Sequence, residues 1–270
     1  MTHERAAIGV FDSGVGGLTV FREIARALPF ESLVYLGDSA RVPYGTKSPE
    51  TVLRYATEAA AHLLHRGVKM LVVACNTATA AAVPELSRSL SIPVIGVIEP
   101  GAKAAVAATA GRVGVIATEA TVRSQAYTRA IRRIDPTIEV IESACPLFVP
   151  LAEEGWANTH VALEVAEIYL APLRDAGIDT LVLGCTHYPI LRATIEKVIG
   201  QGITIVDSAE TTARSVALEL DAKGLRSDGA GAPRREFLVT DAAERFHSIA
   251  SAFLENPVDH LELVRLEAGG

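Results

Sequence analysis

Short apolar runs rich in Val and Ile recur along the chain: Ala7–Phe11, Leu33–Gly37, Lys69–Ala74, Pro93–Val97, Arg112–Ala117, Ile138–Ile141, Asp179–Gly184, Ile203–Val206 and Glu236–Val239. The runs do not alternate apolar with polar residues. Continuous runs of this kind mark strands buried on both faces, as in a parallel sheet. Between them lie longer stretches with helical periodicity, clearest at Leu18–Leu28, Pro49–Arg66, Thr77–Leu90, Thr121–Arg133, Asn158–Ala176, Pro189–Ile199 and Ala209–Lys223. Strand and helix alternating through short links predict an α/β fold of mostly parallel sheet flanked by helices.

The pattern repeats weakly. Ala7–Asp12 (AIGVFD) is similar to Arg112–Thr118 (RVGVIAT), and Met70–Thr77 (MLVVACNT) to Thr180–His187 (TLVLGCTH). Similar order and spacing predict two related, pseudo-symmetric α/β units, one starting near residue 7 and one near 112. Ligands of open parallel sheets bind beyond the carboxyl ends of the strands. Those ends carry Asp12 to Gly17 (DSGVGG), Asp38-Ser39 followed by Pro43-Tyr44-Gly45, Cys75-Asn76-Thr77, Thr118, Cys185-Thr186-His187 and Asp207-Ser208. Small polar residues and two thiols are thus expected to line one pocket.

Composition narrows the class. A chain of 270 residues, 49% hydrophobic and 21% charged, is neither disordered nor collagenous. A net charge of −7 argues against nucleic acid as a primary partner. The mean hydropathy of +0.29 raises the question of a membrane span. The longest uncharged stretch, Met70–Pro84, is interrupted by Asn76, Thr77 and Thr79 and falls short of the ~20 residues a span needs. Near the start, Glu4 and Arg5 precede an apolar run that stops at Asp12, too short for a signal peptide. The expectation is a cytoplasmic protein with no membrane partner. Three cysteines suit a reducing compartment, where a thiol is catalytic or buried rather than bridged.

Cys75 and Cys185 carry the sharpest chemistry. Each follows a buried run and precedes a helical stretch, so a helix dipole is expected to favour its thiolate and lower its pKa. No C-x-x-C is present, and the cysteines and histidines lack metal-ligand spacing, so no metal is expected. The loop Gly14-Val15-Gly16-Gly17 is neither G-x-G-x-x-G nor a P-loop. It reads equally as a cradle of N–H groups for an anion or as a tight turn for close packing. Two thiols in equivalent positions of two related halves suit inversion of an acidic C–H centre. One removes a proton from one face and the other delivers a proton to the opposite face. Ser13, Asn76, Thr77, Thr118 and Thr186 supply hydroxyl and amide donors for the carboxylate of a planar carbanion.

On Ile8–Gly17 (IGVFDSGVGG), Tyr35–Ser39 with Pro43–Gly45 (YLGDS, PYG), Ala74–Thr79 (ACNTAT), Val97–Gly101 (VIEPG), Cys145–Leu151 (CPLFVPL), Gly184–Pro189 (GCTHYP) and Val206–Glu210 (VDSAE), the sequence resembles the glutamate racemases of the aspartate/glutamate racemase family. Those enzymes interconvert L- and D-glutamate without a cofactor and supply D-glutamate for peptidoglycan. Aspartate racemases share the two-cysteine plan but lack most of the flanking motifs.

The resemblance implies that Cys75 acts on the D-enantiomer and Cys185 on the L-enantiomer, with Asp12 assisting Cys75 and His187 assisting Cys185. It implies that Ser13, Pro43, Tyr44, Gly45, Asn76, Thr77, Thr118 and Thr186 hold the substrate. Asp38 and Glu153 are implied as accessory acids, Glu154 being an adjacent candidate for the second. It further implies two α/β domains, 1–97 with 208–270 and 98–207, with the active site in the cleft between them, and a homodimer. From the residues alone, Asp12 also reads as a helix cap, His187 as a packing residue, Asp38 as structural, and Cys145 as a buried thiol. Pyridoxal phosphate would need a Schiff-base lysine, and no lysine lies in a matched motif. Other readings are a racemase of aspartate or another amino acid, or a regulatory binding protein on a racemase scaffold acting on a DNA-processing enzyme.

Overall fold

A computed structural model describes residues 6–258 and 260–266. The N-terminal reading of Glu4 and Arg5, and the outer ends of the 1–97 and 208–270 segments, lie outside the described residues. The chain forms two parallel sheets. The first comprises β1 (Ile8–Asp12), β2 (Leu33–Gly37), β3 (Met70–Val73), β4 (Val94–Gly96), β9 (Arg235–Val239) and β10 (Leu261–Leu263), in the order β10-β9-β2-β1-β3-β4. The second comprises β5 (Arg112–Ala117), β6 (Glu139–Ala144), β7 (Thr180–Gly184) and β8 (Thr204–Asp207), in the order β6-β5-β7-β8. Every pairing described in either sheet is parallel. The order β2-β1-β3-β4 is repeated by β6-β5-β7-β8, so the internal repeat in the sequence is a repeat of topology. Strands β1, β2, β3 and β7 are buried along their whole length, which is why they read as unbroken apolar runs.

Helices α1 (Leu18–Ala27), α2 (Pro49–His65) and α3 (Asn76–Ser89) connect strands of the first sheet. Around the second lie α4 (Ile98–Ala108), α5 (Glu119–Ser124), α6 (Ala126–Ile134), α7 (Phe148–Glu153), α8 (His160–Asp175) and α9 (Arg192–Ile199). The chain returns through α10 (Ser208–Ala222) and ends in α11 (Ala243–Leu254) before β10. Side-chain caps start several of them: Ser48 accepts from the Thr51 N–H, Thr118 from Thr121, Thr159 from Ala162 and Asp207 from Ala209. Helix α10 packs on α1 and α4. One apolar core contains Ile8, Val10 and Leu18 together with Ile116, Leu181 and Leu183, and so runs through both halves.

The structure departs from the sequence expectation in four places. The stretch Thr121–Arg133 is two helices, because Gln125 takes a left-handed conformation (φ 50°) between α5 and α6. Helix α4 was hidden by Pro100-Gly101. Pro100 stands in the first turn, where a backbone N–H has no intrahelical acceptor and proline costs nothing in hydrogen bonding. Helices α7 and α11 and strand β10 are too short or too weakly periodic to stand out. The stretch from Pro189 begins as a 3₁₀ turn, Tyr188–Leu191, and becomes α9 only at Arg192.

Candidate active site

The carboxyl ends of β1, β2, β3, β5 and β7 converge on a cavity of about 260 Å³ between the halves. From the first half, Ser13, Pro43, Tyr44, Gly45, Cys75, Asn76 and Thr77 line it. From the second come Thr118, Glu153, Cys185, Thr186 and His187. Both cysteines are free thiols in one cavity, each directly or closely following the same strand of its repeat. Asp12 and Asp38 are not in the wall. Both are fully buried behind it. Asp38 accepts from the Tyr44 hydroxyl, from Nε of Arg41 at 2.6 Å and from the Thr240 hydroxyl at 2.9 Å, so its carboxylate fixes a wall residue.

Asp12 explains the glycine-rich loop. Its Oδ2 accepts the Gly14 N–H at 3.0 Å, and the N–H groups of Gly17 and Ser13 also stabilise its charge. The anion cradled by this loop is therefore the chain's own carboxylate. Burial nonetheless raises the Asp12 pKa, against the pull of His187 and those N–H groups. Close packing sets the glycines. A Cβ at Gly17 would lie 2.4 Å from Cβ of Asp12, and one at Gly16 would lie 2.4 Å from the His187 ring. Across the same joint, the Thr19 hydroxyl donates to the Thr186 carbonyl at 3.0 Å.

The two thiols have different surroundings. Cys75 is the N-cap of α3, and its sulfur accepts the Ala78 N–H at 3.4 Å. The expected lowering of its pKa does not follow. Burial, with the nearby Asp12 carboxylate, pushes the thiol up to about 12, outweighing the Ala78 N–H and the Ser13 hydroxyl. Cys185 is not at an α-helix start, since a 3₁₀ turn follows it. Its partner is His187, whose Nδ1 lies 3.9 Å from the sulfur. The other ring nitrogen, Nε2, donates to Oε1 of Glu153 at 3.0 Å. Burial alone would lower the His187 pKa, but the Cys185 and Glu153 contacts outweigh it and raise it to about 10. Glu153 is held below the usual carboxylate range, chiefly by its hydrogen bond from His187. Between the adjacent acids, it is Glu153 that reaches His187, while the exposed Glu154 pairs with Arg245 at 3.0 Å.

The family model described as Asp/Glu/Hydantoin racemase matches residues 8–216. The chain belongs to the Asp/Glu/hydantoin racemase family. It is 56% identical to a glutamate racemase of Geobacter metallireducens, over 97% of each chain. It is also similar to the crystal structure of a glutamate racemase isoform from Bacillus anthracis, with a TM-score of 0.94, 43% identity and coverage of 98% and 99% of the two chains. The glutamate racemase of Francisella tularensis in complex with D-glutamate matches with a TM-score of 0.93 and 38% identity, over 98% of this chain and all of that one.

In this racemase, several wall residues escaped sequence reasoning. Val42, Pro146, Val149 and Pro150 give the cavity an apolar side. The last three lie in Cys145–Leu151, a matched stretch in which only Cys145 carried a reading, as a buried thiol. Thr121 and Tyr127 are fully buried, the first hydrogen-bonded to Thr77 and Thr118 (3.3 and 3.0 Å), the second to Asn76. Their signal was polarity inside an expected helix, which periodicity alone does not interpret. Cys145 is buried and outside the cavity wall, and burial pushes its thiol up to about 12. No described helix is long and apolar enough to cross a membrane.

Proposed function

We propose that this chain is a glutamate racemase that interconverts L- and D-glutamate by two-base proton transfer at Cα. The observation that carries the reading is the pair of thiols in one cavity, one contributed by each half. From L-glutamate, the Cys185 thiolate takes the Cα proton. The electron pair left behind delocalises into the α-carboxylate. The Cys75 thiol then delivers its proton to the opposite face, giving D-glutamate, a Cys75 thiolate and a Cys185 thiol. The reverse reaction exchanges the roles. The environments suit this direction. Cys75 is held protonated by burial, while the His187 imidazolium, backed by Glu153, stabilises negative charge on the Cys185 sulfur. Asp12 is the buried carboxylate next to Cys75, placed to ease that thiol's proton transfers.

Donors in the wall, namely Ser13, Asn76, Thr77, Thr118 and Thr186, hold the two carboxylates, and those that meet the α-carboxylate stabilise the charge that develops there. Pro43, Tyr44 and Gly45 complete the pocket for the side chain. The same reading divides the chain into a domain of 1–97 with 208–270 and a domain of 98–207. It takes the protein as a cytoplasmic homodimer that supplies D-glutamate for peptidoglycan. Incubating L-glutamate with the protein in D₂O should give D-glutamate carrying deuterium at Cα. Unlabelled D-glutamate would refute proton removal, and no D-glutamate would refute the substrate.

A further inference from the structure

Asn76 is the first residue of α3 and lines the cavity while remaining only 3% exposed. Its Oδ1 accepts the Tyr127 hydroxyl at 2.8 Å. Its Nδ2 is buried and has no partner among the described residues. A buried amide N–H₂ with both donors unmet is costly, so such a group beside a cavity wants an acceptor from a ligand. The phenol decides which end of the amide is left over. A neutral tyrosine has one proton to give, and Asn76 Oδ1 is its hydrogen-bond acceptor in the structure. With oxygen turned to Tyr127, nitrogen is the end left for the ligand. Burial raises the Tyr127 pKa, which keeps the phenol protonated as a donor.

The ring is fixed from several sides. A Cβ at Gly101 would lie 3.2 Å from its Cε1, and a Cβ at Gly184 would lie 3.1 Å from its Cε2. Gln125, left-handed at φ 50°, turns the chain just before α6, in whose first turn Tyr127 stands. The bond also crosses the joint, from α6 beside the second sheet to α3 beside the first. Gly101 closes the matched stretch Val97–Gly101, which otherwise contributes nothing to the cavity wall. Room for Tyr127 is its physical reason.

We infer that Tyr127 is a positioning residue for the racemisation proposed above, its hydroxyl holding the Asn76 amide with Nδ2 presented to a substrate carboxylate. The inference rests on that reading of the cavity. An amide that holds a carboxylate equally in ground and transition states acts on KM rather than kcat. In Tyr127→Phe the amide is free to turn its oxygen toward the carboxylate.

The test is steady-state racemisation of L- and D-glutamate by wild type, Tyr127→Phe, Asn76→Ala and the double variant. Tyr127→Phe should raise KM about tenfold in both directions and leave kcat within about threefold. In the Asn76→Ala background, Tyr127→Phe should raise KM no further, because the amide it positions is gone. An unchanged KM in Tyr127→Phe, or KM increases that multiply in the double variant, would overturn the inference. Should Tyr127→Phe fail to fold, Gly101→Ala keeps the hydroxyl but displaces the ring. Its KM should then rise with kcat kept, and an unchanged KM again overturns the inference. Wild-type turnover in the same assay tests the racemase reading separately.

Discussion

Replacing Gly16 by alanine would press one methyl group into the joint that the catalytic reading depends on. Gly16 does not have a positive φ, so alanine meets no backbone strain there. The effect is purely steric. The new Cβ would lie 2.4 Å from Cε1 and Nδ1 of His187 and 2.4 Å from Oγ1 of Thr186. Carbon contacts settle at about 3.5–4.0 Å, so the ring must retreat by roughly 1 Å. Little freedom exists for that retreat. Glu153 accepts from the far side of the imidazole at 3.0 Å, and the Phe253 ring stands nearly perpendicular to it with centroids 5.4 Å apart. Thr186 is tied through its carbonyl to Thr19. Overpacking of this kind costs about 1–3 kcal/mol, which lowers Tm but leaves the chain folded. A displacement of ~1 Å at a reacting group costs on the order of 100-fold in rate. The expected result is a far-UV spectrum like wild type and a loss of about 100-fold in kcat/KM for L-glutamate, followed by polarimetry. A folded Gly16→Ala protein within about threefold of wild-type kcat/KM would refute the placement of His187 at the reacting centre.

Cys75→Ser and Cys185→Ser should each abolish racemisation, whereas Cys145→Ser, outside the cavity wall, should keep most of it. Equal loss in all three would overturn the assignment of the two thiols. The raised His187 pKa stabilises the fold fully below its ordinary value of 6.5, and that contribution is lost as pH rises through about 10. The gap in unfolding free energy between wild type and His187→Gln should therefore shrink between pH 6.5 and 10 in urea titrations, and a gap that widens would contradict the pairing. Far from the site, Lys69 and Glu31 form a buried pair at 2.7 Å with side chains 0% and 2% exposed. Lys69→Ala should destabilise by about 3–5 kcal/mol by leaving a buried charge uncompensated, with kcat unchanged in the protein that remains folded. Replacing both by Met and Leu should recover most of that loss in the same chemical denaturation.

Apolar runs at β1, β2, β3 and β7 declare buried parallel strands because a strand covered on both faces has no polar side to show. The repeat of those runs foretold two related α/β units, and the matched positions of Cys75 and Cys185 foretold that both thiols would face one cavity. These features are local or periodic, so the sequence determines them by itself. Folding alone decided the rest. Whether the N–H groups after β1 would meet a ligand or Asp12 depended on where the carboxylate turned. The pKa of Cys75 depended on burial and on Asp12, 63 positions away in the chain but adjacent in space, and desolvation outweighed the helix start that the sequence made visible. Tyr127 meets Asn76 across 51 residues, from a helix that starts where Gln125 breaks the one periodicity would have continued. Propensity and pattern are set by near neighbours, whereas desolvation and the pairing of buried polar groups are set by packing between distant ones, and the chemistry of this site is made of the second kind.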